Sequence, residues 1–190
     1  MEQKLDLRIQ KTYIALTNAF FQMMEEMRFE DIRVKDLCER AMVRKSTFYK
    51  HFADKYELLA FIVKEMQRKF DAQLANEDRD TNKADYYTQL LSLIFDFIDA
   101  NRRFVQSAIS SNSFPLILNI LSEQVIPDIR LKLKEDERHG ESLPADENVM
   151  ATFFVGGIME SVGDWLVKGM PITRENLMNQ LSGILRRFMR

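Results

Sequence analysis

Along most of this 190-residue chain, apolar residues recur at steps of three and four, the period of helices that each bury one stripe. Ile9, Tyr13, Leu16, Phe20, Met24 and Met27 form the first stripe and predict a helix from about Leu7 to Met27. Shorter periodic segments follow at Val34 to Ala41 and Lys45 to Phe52, then a longer one from Lys55 to about Leu74. Breaks fall near Glu30 to Ile32, at Met42 to Arg44 and at Ala53 to Asp54. Asp54 with Glu57 three residues on reads as a helix start, the first as cap and the second at the positive end of the dipole. The polar run from Ala75 to Lys83 has no apolar stripe and reads as a joint. Beyond it, helices are predicted at about Ala84 to Ala100, Arg102 to Ser111, Phe114 to Glu137, Ala145 to Lys168 and Thr173 to Phe188. Pro127, which lacks an N–H, predicts a kink in the third of these. The expected fold is all-α, about nine helices in two units, at 1–74 and 84–190.

Within the first unit, Val34, Leu37, Cys38, Ala41, Val43, Phe48 and Phe52 fit two short helices meeting across a tight turn, which is helix-turn-helix spacing over about 33–52. The second of these helices is left with Lys45, Ser46, Thr47, Tyr49, Lys50 and His51 on its outer side. That set combines cations for phosphates with hydrogen-bonding groups short enough to reach base edges.

Composition sharpens this picture through charge. The formal net charge is −2, which read globally argues against nucleic acid. Residues 33–55, however, hold seven Lys/Arg against three acids, a basic patch on an acidic body as in a DNA reader with a separate regulatory unit. Cys38 is the one cysteine, and His51 and His139 are isolated, so neither a disulfide framework nor a metal site is expected. No phosphate loop, Gly-x-Ser-x-Gly elbow or His-Glu-x-x-His is present, so no catalytic residue and no cofactor is expected. The apolar runs are far shorter than the ~20 residues of a membrane span, and Met-Glu-Gln-Lys lacks a signal-peptide core, so the expected location is the cytoplasm.

Phe29 to Leu58, with Ser46-Thr47-Phe48-Tyr49-Lys50-His51-Phe52 and Asp54-Lys55 at its centre, resembles the DNA-binding domain of the TetR/AcrR family of transcriptional regulators. The resemblance covers about the first 70 residues. It implies an N-terminal three-helix DNA-binding domain followed by a helical ligand-binding and dimerisation domain. Tyr49, His51 and Lys55 are then expected on the phosphate backbone, and Lys45, Ser46, Thr47 and Lys50 facing the major groove of a double-stranded operator. The first turn of the helix that carries Lys55 could itself hold a phosphate. This chain departs from the family pattern where Met42 replaces a usual glycine, Arg44 a usual Ser or Asn cap, and Arg33 a usual Thr. Met42 must therefore take a conformation that glycine adopts freely, and Arg44, like Arg33 and Lys35, becomes available to DNA.

In the second unit, Phe154, Trp165, Leu177, Leu181, Ile184 and Leu185 lie on apolar stripes of the last two helices and are expected at a homodimer interface. A two-fold dimer would place two recognition helices on successive half-sites. Phe97, Phe104, Phe114, Phe153 and Met159 are candidates to line a pocket for a small-molecule effector. Gly156 to Trp165, with Gly169-Met170-Pro171 beyond, also resembles a subgroup that includes regulators of dihydroxyacetone kinase operons. The expected function is a dimeric repressor released by an effector. The alternatives are an activator or coactivator-dependent regulator of that subgroup's type, and a helical interaction protein that has lost DNA binding.

Overall fold

Leu16, Ala19, Phe20, Met23 and Met24 fall on one face of the first helix, α1 (Leu7–Glu26), and are buried there. Each large side chain so buried contributes about 1.5–3 kcal/mol, so this face fixes where α1 must pack. The structure is a computed structural model, described for residues 7–74, 83–138 and 143–188. After α1 comes a 3₁₀ turn, Phe29–Asp31, then α2 (Val34–Arg40), α3 (Lys45–His51), α4 (Lys55–Leu74), α5 (Lys83–Ala100), α6 (Arg102–Ile109), α7 (Phe114–Arg138), α8 (Glu147–Val167) and α9 (Arg174–Phe188). Among the described residues these are the helices, and no strand occurs.

Two compact units emerge, and each is discontinuous in sequence: Met1–Ile62 with Arg102–Ile117, and Val63–Asn101 with Leu118–Arg190. In the first, α1 packs on α2 and α6. Phe29, Ile32, Leu37, Phe48 and Leu58 are fully buried around it. The α6 contact runs through Phe104, whose ring lies 4.7 Å from Phe21 and 6.5 Å from Phe20 between centroids. Linear order puts Phe104 with the later helices, but packing puts it with α1.

In the second unit, α5 packs on α9. The core joins Leu91 and Phe95 of α5, Leu133 of α7, Ala151 and Phe154 of α8 and Leu185 of α9. Trp165 sets its ring edge against Phe95 at 5.6 Å, and its indole N–H donates to the Ile172 carbonyl at 2.8 Å. Arg174, at the start of α9, forks onto Asp96 and Asp99 of α5, so the same two helices are held by charge-assisted bonds as well as apolar contact. Asp146 caps α8 by accepting from the Asn148 N–H at 2.9 Å. Pro127 lies inside α7, which continues past it. The predicted joint at 75–83 falls almost wholly outside the described residues, as does the loop core at 139–142.

Candidate nucleic-acid interface

The turn between α2 and α3 is built by backbone bonds. The Val43 N–H reaches back to the Cys38 carbonyl at 2.9 Å and the Met42 N–H to the Glu39 carbonyl at 3.1 Å, the paired closure of a Schellman motif. That motif requires a left-handed residue at its centre, and Met42 supplies it with φ of 53°. Its side chain is 94% exposed, so no packing offsets the strain. The expectation drawn from the missing glycine holds in the backbone itself.

Arg44 then takes the cap position of α3 with extended dihedrals and forms no side-chain cap bond. From there α3 turns Phe48 inward to full burial and leaves Lys45, Ser46, Tyr49 and Lys50 exposed, with Thr47 and His51 half-buried at the margin. The seven residues therefore divide into an apolar anchor and a polar, cationic outer face. Arg33 and Arg44, the cap residues of α2 and α3, are exposed; Lys35 is exposed and lies 3.8 Å from Glu39 on its own helix. Cys38 is buried on the inner side of α2, and burial pushes its thiol above the usual range.

Lys55 is the one member of the expected DNA-contacting set that the geometry places elsewhere. Its ammonium donates to the carbonyls of Phe29, Glu30 and Ile32 at 2.7, 3.0 and 3.0 Å and sits 4.7 Å over the Phe29 ring. An ammonium has three protons, and all three are used on the 3₁₀ turn, so a phosphate contact through Nζ is corrected to a structural staple. Desolvation pulls this lysine's pKa below its ordinary value, opposed by Glu30, Asp31 and Asp54. The first turn of α4 is also occupied. Asp54 Oδ1 accepts from the Tyr56 and Glu57 N–H groups at 2.9 Å, an N-cap, and Glu57 reaches back past it to accept from the Ala53 N–H at 2.6 Å.

Sequence reasoning missed the partners of that turn. Glu30 accepts from the Ser111 hydroxyl and, at 3.0 Å, from the Asn112 N–H, while Ser107 donates to the Met27 carbonyl at 2.7 Å. Arg40 forks onto Glu26 at 2.6–2.7 Å and so ties α2 to α1. These pairs lie 14 to 82 residues apart, beyond any local spacing signal.

The residues expected at the effector pocket divide between the two units. Phe104 is spent on α1 as described, and Phe114 is half-buried in the same unit. In the second unit Phe97 is half-buried, Met159 packs against the core and Phe153 is 65% exposed. Of the six expected dimer residues, Phe154, Trp165, Leu177, Leu181 and Leu185 are buried within their own protomer, and Ile184 is exposed. The exposed apolar positions on α8 are Val149, Phe153 and Val167. α8 is mostly apolar, and the polar signal for its outer face is thin, carried by Glu160 and Asp164 seven and eleven residues after Phe153. No helix among the described residues is long and apolar enough to cross a membrane.

An all-helical chain with a turn-linked helix pair and a cationic outer helix face is the architecture of a helix-turn-helix regulator. The comparisons give the family: residues 85–187 match the family model described as a transcriptional regulator C-terminal region of TetR type, and the chain belongs to the TetR family of DNA-binding transcription regulators. Among curated relatives it is 31% identical over 93 residues to the HTH-type dhaKLM operon transcriptional activator DhaS of Lactococcus lactis subsp. lactis strain IL1403, covering 48% of this chain and 45% of that one. It is 33% identical over 63 residues to the uncharacterised HTH-type transcriptional regulator YxbF of Bacillus subtilis strain 168, covering 33% of this chain and 17% of that one. The matches thus span less than half the length of either relative. A solved TetR transcriptional regulator from Streptococcus agalactiae 2603V shares the fold, with a TM-score of 0.58 and 24% identity over 94% of this chain and 95% of that one.

Proposed function

We propose that this regulator is a cytoplasmic, homodimeric repressor whose α3 enters the major groove of a double-stranded operator and whose hold is released by a small-molecule effector. The observation that carries the reading is the division of α3: Phe48 wholly buried, and Lys45, Ser46, Tyr49 and Lys50 exposed together on one outer face. Lys45, Ser46, Thr47 and Lys50 read base edges, while Tyr49, His51, Arg44, Arg33 and Lys35 hold phosphates. Functionally, 1–74 is the DNA-binding domain and 84–190 the effector-binding and dimerisation domain, with Phe97 and Met159 the retained candidates for effector contact. Val149, Phe153, Val167 and Ile184, apolar and exposed on α8 and α9, give a second copy a surface to cover; in a monomer they would stay in water.

The test is titration of the purified protein against its own upstream intergenic DNA and a scrambled duplex at several salt concentrations. Preferential binding with two chains per site and a steep salt dependence supports the reading. Absence of binding at low salt would sink it in favour of a helical interaction protein. The similarity to DhaS, described as an activator, supports a second reading in which the sign of control is reversed. Reporter output from the bound promoter after deletion of the gene separates them: it rises if the protein represses and falls if it activates.

A further inference from the structure

A histidine has two unlike ring nitrogens, and the one that carries the proton in the neutral ring decides which edge donates. His51 ends α3, half-buried. Tyr13, on α1 and 38 residues earlier in the chain, brings its hydroxyl to 3.3 Å from His51 Nδ1. The two rings meet edge to face, with centroids 5.2 Å apart and an interplanar angle of 84°. Tyr13 cannot easily swing aside, because its ring is held against Phe61 at 4.6 Å and Phe52 at 5.5 Å. Among the described residues, His51 forms no other side-chain hydrogen bond.

A phenolic O–H either donates to an unprotonated Nδ1 or accepts from Nδ1–H; the first arrangement pairs the stronger donor with the stronger acceptor, and it leaves the ring's own proton on Nε2, across the ring from the tyrosine. We propose that Tyr13 is a positioning residue for DNA binding: it holds His51 in the Nε2–H tautomer, so that a neutral imidazole presents a fixed N–H donor to a phosphate oxygen. The proposal rests on the reading that the outer side of α3 meets DNA. It explains why a tyrosine occupies a position on α1 where apolar packing alone would be served by phenylalanine. The same second-sphere logic orients metal-bound imidazoles, where the partner of one nitrogen sets what the other can do.

The chain has two histidines, His51 and His139, so one substitution at His139 assigns the imidazole resonances. Long-range proton–nitrogen NMR of the free protein at mildly alkaline pH is expected to show His51 predominantly as Nε2–H, and Tyr13→Phe, which keeps the ring contacts, is expected to give mixed tautomers. DNA affinity should fall about three- to tenfold in Tyr13→Phe, the worth of one oriented hydrogen bond, with the salt dependence unchanged because no charge is removed. In a His51→Ala background, Tyr13→Phe should have almost no further effect. The proposal is overturned if native His51 is Nδ1–H, or if Tyr13→Phe weakens binding equally with and without the imidazole, which would make Tyr13 a packing residue. If His51→Ala leaves affinity intact, it is the phosphate role of His51 that fails, even where the tautomer is as expected.

Discussion

The ammonium of Lys55 lies 2.7 Å from the carbonyl oxygen of Phe29 and 4.7 Å above the centre of the same residue's ring. One cation thus satisfies the backbone of the 3₁₀ turn while resting on the aromatic side chain that anchors it in the core. The Phe29 carbonyl also accepts from the Ile32 N–H at 3.2 Å, so those of Glu30 and Ile32 depend most on the ammonium, and leaving one buried and unpaired costs about 1–3 kcal/mol. Lys55→Met keeps the stem and removes the donors. It is expected to destabilise the protein by about 2–4 kcal/mol in denaturant titration. A loss under about 0.5 kcal/mol would mean that water replaces the ammonium without penalty.

Met42 carries the opposite kind of feature, a local strain with no visible compensation. A non-glycine residue at φ of 53° costs about 1–2 kcal/mol, and its side chain is 94% exposed, so no contact is lost on removing it. Met42→Gly is therefore expected to raise stability by about 0.5–1 kcal/mol, after the entropy that glycine adds to the unfolded chain is deducted. The midpoint of chemical unfolding should rise while its slope stays constant.

These two residues also mark what could be read from the chain. The strain at Met42 was legible because a turn between short periodic segments involves neighbours only, and the burial of Phe48 with exposure of Lys45, Ser46 and Tyr49 follows from helical period within seven residues. The Lys55 staple was not legible, since it depends on where a turn 23 to 26 residues away arrives. In sequence Tyr13 is one more position in an apolar stripe, and nothing local distinguishes it. On α8, Phe153 and Phe154 are adjacent in sequence yet one is 65% and the other 5% exposed. Glu160 and Asp164, seven and eleven residues on, are exposed on the same side as Phe153, a thin polar signal in a helix that is otherwise mostly apolar.

Glu30 ties the same turn to the start of α7, and its ionisation gives that tie a pH dependence. The Ser111 hydroxyl, followed by the backbone N–H groups of Glu30 and Asn112, holds its carboxyl below the usual value. A carboxylate with a depressed folded-state pKa stabilises the fold above its unfolded pKa of about 4.3 and loses that contribution as pH falls through the folded value. Ser111→Ala should therefore lower the melting temperature most near neutral pH. The gap from wild type should narrow below about pH 4, leaving the pH-independent loss of the bond that Ser113 N–H donates to Ser111 Oγ. A gap that stays constant from pH 7 to pH 3.5 would falsify the assignment of Glu30 as the acid-sensitive partner.

Arg44 separates stability from function at a single position. Its backbone already has the extended dihedrals of a cap, φ −67° and ψ 141°, but its side chain forms no cap bond. A serine there would satisfy a free N–H of α3, so Arg44→Ser is expected to stabilise the protein by about 1 kcal/mol. If the arginine instead serves a phosphate, the same change should weaken operator binding and flatten the plot of log affinity against log salt by about 0.9, the loss of one contact. Greater stability with weaker, less salt-sensitive binding would show that the cap was given up for DNA. Greater stability with unchanged binding would leave Arg44 without a part in the interface, and the cationic face would then consist of Lys45 and Lys50 with the flanking Arg33 and Lys35.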